Sequence, residues 1–80
     1  MRKRASVLVV DDEKEILTFV RSNLVARGFE VFTARSGAEA LTALEARNPD
    51  LMILDILMPE VDGFEVCRRV REWSSIPIIV

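Results

Sequence analysis

Four short segments of strand-like pattern alternate with three segments of helical periodicity along this chain, and that order restricts the fold more than any other feature. Continuous aliphatic runs, without alternating polar residues, are typical of strands buried on both faces. Val7–Val10, Leu51–Leu54 and Ile76–Val80 have this character, and Glu30–Thr33 forms a shorter strand. Strands that alternate with helices build a parallel sheet covered by helices. We therefore predict a single α/β domain with four strands and three helices.

The helical segments carry start and stop signals. The first helix is predicted to begin near Lys14 and to end at Gly28, which supplies a left-handed backbone conformation. The second begins at Ser36, with Glu39 placed to complete a capping box, and the third follows a predicted loop over Leu57–Gly63 and runs to about Trp73. The predicted apolar faces comprise Ile16, Leu17, Val20 and Leu24 in the first helix, Ala40, Leu41 and Leu44 in the second, and Phe64, Cys67 and Val70 in the third.

The handedness of the crossovers between parallel strands then determines the layout. A first strand at the point where the winding reverses gives a flavodoxin-like sheet of order 2-1-3-4. The first helix covers one face, and the second and third cover the other. The third and fourth strands are left bare on the first helix's face, although exposed aliphatic surface costs about 25 cal/mol per Å². We therefore expect residues 1–80 to be a fragment that forms a homo-oligomer through this face or the fourth strand's edge.

Composition excludes several classes of function. The chain has 80 residues, half of them apolar, and a net charge of −2, so we expect no nucleic-acid or membrane partner. No apolar run is long enough to span a membrane or to act as a signal peptide, which predicts a cytoplasmic protein. The chain has no histidine and one cysteine, so Ser-His and Cys-His nucleophile pairs and most zinc sites are excluded. Any chemistry must come from carboxylates.

Carboxylates follow two neighbouring strands of the predicted sheet. Asp11 and Asp12 come after the first strand and Asp55 after the third, at the edge where open α/β sheets bind ligands. Neighbouring strands lie about 4.8 Å apart, so these carboxylates repel one another unless a cation lies among them. Oxygen-only ligands favour Mg²⁺, with Mn²⁺ also possible. Such a carboxylate can attack phosphorus, whereas the alternative is that Asp11 and Asp12 only cap the first helix and Asp55 only ends a strand.

Two segments, Val9–Glu13 and Asp55–Gly63, resemble the signature segments of response-regulator receiver domains, and the resemblance extends over the whole chain. It implies that Asp55 accepts a phosphoryl group from a sensor histidine kinase. It further implies that Asp12 and Asp55 bind Mg²⁺ directly, that Asp11 acts through a metal-bound water, and that the backbone carbonyl of Leu57 is another ligand. We expect Glu13 to be a favourable charge in the first helical turn rather than a ligand, and Met58, Pro59, Asp62 and Gly63 to have structural roles.

The chain also departs from this family. The family's Ser or Thr after the fourth strand and its Lys after the fifth strand would both fall beyond Val80, as would the fourth and fifth helices and the fifth strand. We therefore expect a retained metal site with slow or absent phosphorylation, and no enzymatic turnover beyond self-catalysed phosphoryl transfer. One alternative is an inert, self-associating half-receiver. Another, a phosphatase of the haloacid-dehalogenase kind, is disfavoured because that family requires a second aspartate at the position of Leu57.

Overall fold

The computed structural model describes residues 4–54, 63–72 and 74–80. Its strands and helices occur in the predicted order: β1 (Ser6–Val10), α1 (Lys14–Ala26), β2 (Glu30–Ala34), α2 (Gly37–Arg47), β3 (Leu51–Leu54), α3 (Gly63–Arg71) and β4 (Ile78–Ile79). The four strands form one parallel sheet in the order β2-β1-β3-β4, which confirms the predicted flavodoxin-like layout. Across the described ranges, no helix combines the length and the apolar character that crossing a membrane requires.

The sheet separates two apolar layers, because successive side chains of β1 point to opposite faces. On one face, Leu8 and Val10 contact α2 and α3. On the other, Val7 and Val9 contact Leu17 of α1. The first layer consists of Leu8, Val10, Ala34, Ala40, Leu44, Met52, Leu54, Val66, Val70 and Ile76. The helices therefore divide between the two faces as the sequence predicts.

Helix α1 ends in a Schellman motif around Gly28, as its sequence predicts. The N–H of Phe29 donates to the carbonyl of Leu24, and the N–H of Gly28, at φ +92°, donates to Val25. The predicted apolar stripe is wrong at one position, because Ile16 is 41% exposed while Leu17 is buried. Successive helical residues are about 100° apart, so Leu17 on the central line of the stripe places Ile16 at its margin.

Helix α2 begins at the predicted cap, but the reciprocal half of the capping box differs. The hydroxyl oxygen of Ser36 accepts from the N–H of Glu39 at 3.1 Å, as expected. The Glu39 carboxylate, however, accepts from the N–H of Arg35 at 3.4 Å, one residue earlier than a capping box requires. At the other end of α2, Asn48 adopts the left-handed conformation at φ 48° and its N–H donates to Leu44.

The amino ends of β1 and β3 are joined by hydrogen bonds between Ser6 and Asp50. The N–H and hydroxyl of Ser6 donate to Oδ2 of Asp50 at 2.8 and 3.2 Å. In return, the N–H of Asp50 donates to the hydroxyl and carbonyl oxygens of Ser6. Ser6 is buried, so these bonds satisfy polar groups that water cannot reach.

The fourth strand is shorter than predicted, because only Ile78–Ile79 pairs with β3. Pro77 has no N–H to donate, and its carbonyl accepts from Met52, so pairing starts at that residue. Ile79 remains 53% exposed at the edge of the sheet on the α1 face. The start of the third helix also differs from the prediction, because α3 begins at Gly63, which the sequence assigns to the preceding loop.

Candidate functional site

The carboxyl ends of β1 and β2 lie side by side and bring the first aspartate to the edge of the sheet. β1 and β2 remain in register through Val10 and Ala34, the last residues of each strand. The N–H of Asp11 then donates to the carbonyl of Ala34 at 3.1 Å, which extends the pairing by one bond. Asp11 is 8% exposed, so it is largely shielded from solvent at this edge.

The buried carboxylate of Asp11 shapes the turn into α1. Its Oδ1 accepts from the N–H of Glu13 at 2.9 Å. Glu13 is the N-cap residue of α1 and makes no side-chain cap hydrogen bond of its own. The capping alternative therefore holds in part, because Asp11 binds an N–H at the start of the helix. No described residue forms a hydrogen bond with its other carboxylate oxygen.

Asp12 is half-buried and differs from its neighbour in its contacts. With the residues that the structure describes, its carboxylate makes no hydrogen bond or ion pair, so Asp12 does not cap α1 there. Its backbone carbonyl accepts from Nη2 of Arg35 at 3.3 Å. A half-buried carboxylate without a described partner, on the residue that follows Asp11, is a suitable donor for a cation.

The third strand ends level with the first, because Val10 pairs with Leu54. The predicted phosphoacceptor Asp55 and the predicted carbonyl ligand Leu57 lie outside the described residues. Over the described ranges, no three Asp, Glu, Cys or His side chains converge on a possible metal position. The described part of the site is thus the pair Asp11 and Asp12. Their oxygen-only donor set suits a hard ion such as Mg²⁺, and a third oxygen ligand is needed to complete it.

Sequence reasoning missed two polar features of the described structure. Arg35 reaches the acidic edge from the turn between β2 and α2, and Ser6 meets Asp50 across 44 positions of sequence. Neither carries a periodic or motif signal. Ser6 is a polar residue at the start of a buried strand, and Asp50 is an acidic residue just before the neighbouring strand. These two positions were the only indication of their contact in the sequence.

The strongest charge cluster of the described structure lies on α3. Hydrogen bonds from Arg68 and Arg69 hold the pKa of Glu65 at about 2, against the usual 4.5. Arg68 also pairs with Glu72 at 3.2 Å. All four side chains are substantially exposed and spaced three or four residues apart, so these are surface ion pairs of one helix and not a binding site.

Comparison with known proteins accounts for this combination of sheet and acidic edge. The family model "Response regulator receiver domain" matches residues 7–80. The alkaline phosphatase synthesis transcriptional regulatory protein PhoP of Bacillus subtilis is 47% identical over 75 residues, which cover 92% of this chain and 31% of PhoP. The chain thus spans about a third of the length of such curated relatives.

Solved receiver structures share the fold. The chemotaxis response regulator CheY4 of Vibrio cholerae superposes with a TM-score of 0.89 at 39% identity, covering 95% of this chain and 66% of CheY4. Response regulator protein TrrA of Thermotoga maritima, in complex with Mg²⁺-BeF, gives 0.79 at 43% identity, covering 85% of this chain and 59% of TrrA. TrrA in complex with histidine kinase ThkA gives 0.84 at 40% identity, covering 92% and 65%. The chain is incomplete relative to these receiver domains, and it belongs to the response regulator receiver domain family.

Proposed function

We propose that this chain is the phosphoacceptor module of a cytoplasmic two-component phosphorelay, in which Asp55 receives a phosphoryl group from the histidine of a sensor histidine kinase. The observation that carries the proposal is the register of β1 and β3. Val10 pairs with Leu54, and the next residues in sequence are Asp11 and Asp55. Two parallel strands that end level, each followed by aspartate, supply both a nucleophile and a place for its counter-ion.

The proposed metal ligands are Asp11, Asp12, Asp55 and the backbone carbonyl of Leu57, with Mg²⁺ as the ion and Mn²⁺ as a substitute. When bound, the ion neutralises the negative charge that the nucleophile and the phosphoryl oxygens bring together. Asp11 keeps one oxygen on the N–H of Glu13, so its second oxygen would be the one to bind the ion or a water held by it. Asp12 contributes a carboxylate that the described residues leave unpaired.

The proposed transfer balances in atoms and electrons. A carboxylate oxygen of Asp55 attacks phosphorus, and a bond from oxygen to phosphorus forms as the bond from phosphorus to the donor's imidazole nitrogen breaks. The electron pair of the broken bond stays on that nitrogen, which takes up a proton. Asp55 is consumed once per event and regenerated by hydrolysis, so we propose a phosphoacceptor and not an enzyme acting on free substrates.

Two solved structures of one relative, TrrA, support the choice of partner and ion. TrrA, 40% identical over the aligned region, has been solved with histidine kinase ThkA, and separately with Mg²⁺-BeF. The kinase and the ion were found bound to TrrA, and the shared fold and sequence identity are the reason for extending them to this chain as a proposal.

The proposal is tested first by metal binding. Calorimetric titration with Mg²⁺ should show one site in the parent chain, and millimolar Mg²⁺ should raise its melting temperature. Asp55→Ala should abolish both effects. Glu45→Gln removes an exposed carboxylate from α2 and is the matched control, so it should behave as the parent does. Equal Mg²⁺ effects in the parent and Asp55→Ala would contradict the site.

Phosphorylation is tested separately with Mg²⁺ and a small acyl phosphate, followed by intact-mass measurement. One added phosphoryl group that accumulates slowly and is absent in Asp55→Asn supports the proposal. Turnover of phosphate esters would indicate a phosphatase instead. Metal binding without any added group would favour the inert half-receiver over the phosphoacceptor.

A specific observation also favours self-association. β4 is an edge strand, Ile79 and Val80 are 53% and 72% exposed, and Ile79 pairs with Ile53 on the α1 face. Ile53 is only partly buried against the cluster around Leu17. We propose that a second copy covers this edge, since an exposed apolar strand edge invites pairing with another strand.

A further inference from the structure

We propose that Arg35 is a positioning residue for the acidic edge: it holds the backbone of Asp12 in the conformation that binds the divalent cation. The inference rests on the proposed metal site and adds a residue that lies outside the ligand set. Arg35 is separated from Asp12 by 23 positions and comes from a different loop, between β2 and α2.

Ala34, the last residue of β2, and Arg35, which follows it, each bind one of the two consecutive aspartates. The carbonyl of Ala34 accepts from the N–H of Asp11 at 3.1 Å. Nη2 of Arg35 donates to the carbonyl of Asp12 at 3.3 Å. The first contact extends the sheet by backbone atoms alone and involves no side chain. The second depends on one guanidinium, so the peptide after Asp12 is restrained by a side chain that can be removed.

Arg35 is itself held by the start of α2. Its backbone N–H donates to Oε1 of Glu39, whose own N–H is capped by the hydroxyl of Ser36. The Glu39 carboxylate thus binds the N–H of Arg35 instead of the N–H of Ser36 that a capping box would use. The first turn of α2 thereby fixes the origin of the Arg35 side chain, and the guanidinium transmits that position to Asp12.

A positioning role and a simple charge effect predict opposite signs. A positive charge beside a cation site weakens cation binding by repulsion, so removing it would tighten Mg²⁺. A hydrogen bond that holds a ligand's backbone in place strengthens binding, so removing it would weaken Mg²⁺. Arg35→Ala removes both, and the direction of its effect decides between them.

The experiment measures Mg²⁺ affinity by calorimetry in the parent, Arg35→Ala and Arg35→Lys, with Arg21→Ala as the control. Arg21 is an exposed arginine of α1, so its removal changes the net charge equally. We expect Arg35→Ala to weaken Mg²⁺ roughly tenfold, the size typical of residues that orient metal ligands. Arg35→Lys keeps a donor and should recover most of the loss, and Arg21→Ala should bind as the parent does.

A second measurement needs no metal. Hydrogen exchange at the N–H groups of Asp11 and Glu13 should be faster in metal-free Arg35→Ala than in the parent or in Arg21→Ala. Unchanged exchange, or unchanged or tighter Mg²⁺ binding in Arg35→Ala, would overturn the inference. A parent chain that binds no Mg²⁺ would overturn the proposed function itself, which separates that failure from a failure of Arg35 alone.

Discussion

Asp11 and Asp12 are neighbours in sequence, yet the fold gives them different tasks. Asp11 is 8% exposed and accepts from the N–H of Glu13, so it supports the turn into α1 as well as any bound ion. Asp12 is half-buried, and within the described structure its carboxylate supports nothing else. Substitutions of the two should therefore affect the metal-free protein in opposite directions.

In the absence of divalent ions, Asp11→Ala should lower the melting temperature. It removes a partly buried hydrogen bond, which contributes about 1 kcal/mol, and a loss of that size corresponds to roughly 4–8 °C in a domain of this length. Asp12→Ala should raise the melting temperature by about 2–4 °C, because it relieves repulsion of ~0.5 kcal/mol among crowded carboxylates.

Thermal unfolding followed by circular dichroism in a chelator checks both directions, with Glu45→Gln as the control for loss of one surface carboxylate. A lower melting temperature for Asp12→Ala would mean that its carboxylate is not crowded by others.

At the scale of residues, the sequence predicted where Asp11 and Asp12 lie in the sheet, but it did not predict the contact between Arg35 and Asp12. The doublet Asp11-Asp12 follows an aliphatic strand, so its place at the sheet's carboxyl edge can be derived from strand order. A single arginine in a turn has many possible partners, and the choice of the Asp12 carbonyl depends on how closely two loops approach. The positions of Asp55 and Leu57 stay predictions, since both lie outside the described residues.

At the scale of helices and strands, local signals predicted the ends better than the faces. Gly28 and Ser36 act where their conformational preferences require, because caps depend on a few adjacent residues. Ile16 was assigned to the apolar stripe although it is 41% exposed, because periodicity fixes a face only to within one neighbouring position. β4 was overestimated because its apolar run extends beyond the pairing that Pro77 permits.

The end of α1 offers a test of backbone conformation free of packing effects. A Cβ at Gly28 would meet no atom within 4 Å, but the residue has φ +92°. Gly28→Ala should therefore lower the free energy of unfolding by about 1–2 kcal/mol through backbone strain alone. Gly28→Asn should cost less, because asparagine tolerates positive φ.

Denaturant unfolding of the two Gly28 variants measures this difference. Equal stability of Gly28→Ala and the parent would show that the Schellman hydrogen bonds of Phe29 and Gly28 form without a left-handed residue.

For the whole molecule, the sheet order could be derived because right-handed crossovers leave few alternatives. The helices that cover each face could be derived as well. α1 lies on the face of Val7 and Val9, and α2 and α3 lie on the other face. The degree of exposure at the β4 edge could not, because it depends on how far α1 extends across the sheet. Ile53 proves partly buried there, whereas Ile79 does not.

Self-association through that edge is tested by sedimentation equilibrium at several concentrations. The parent chain should dimerise, and Ile79→Lys should shift the equilibrium towards monomer, because burying an isoleucine contributes about 1.5–3 kcal/mol. Phe19→Lys is the control, since Phe19 is 70% exposed on α1 rather than on the sheet edge. Equal association of the parent and Ile79→Lys would place the contact elsewhere.

The bonds between Ser6 and Asp50 lie at the opposite end of β1 from Asp11, about 16 Å away along the strand at ~3.3 Å per residue. Sites at that separation usually contribute independently to folding and to chemistry. Substitutions near Ser6 and Asp50 could therefore raise the melting temperature without altering the aspartates at the carboxyl edge of the sheet. The same separation allows substitutions around Asp11 that leave the hydrogen bonds between Ser6 and Asp50 intact.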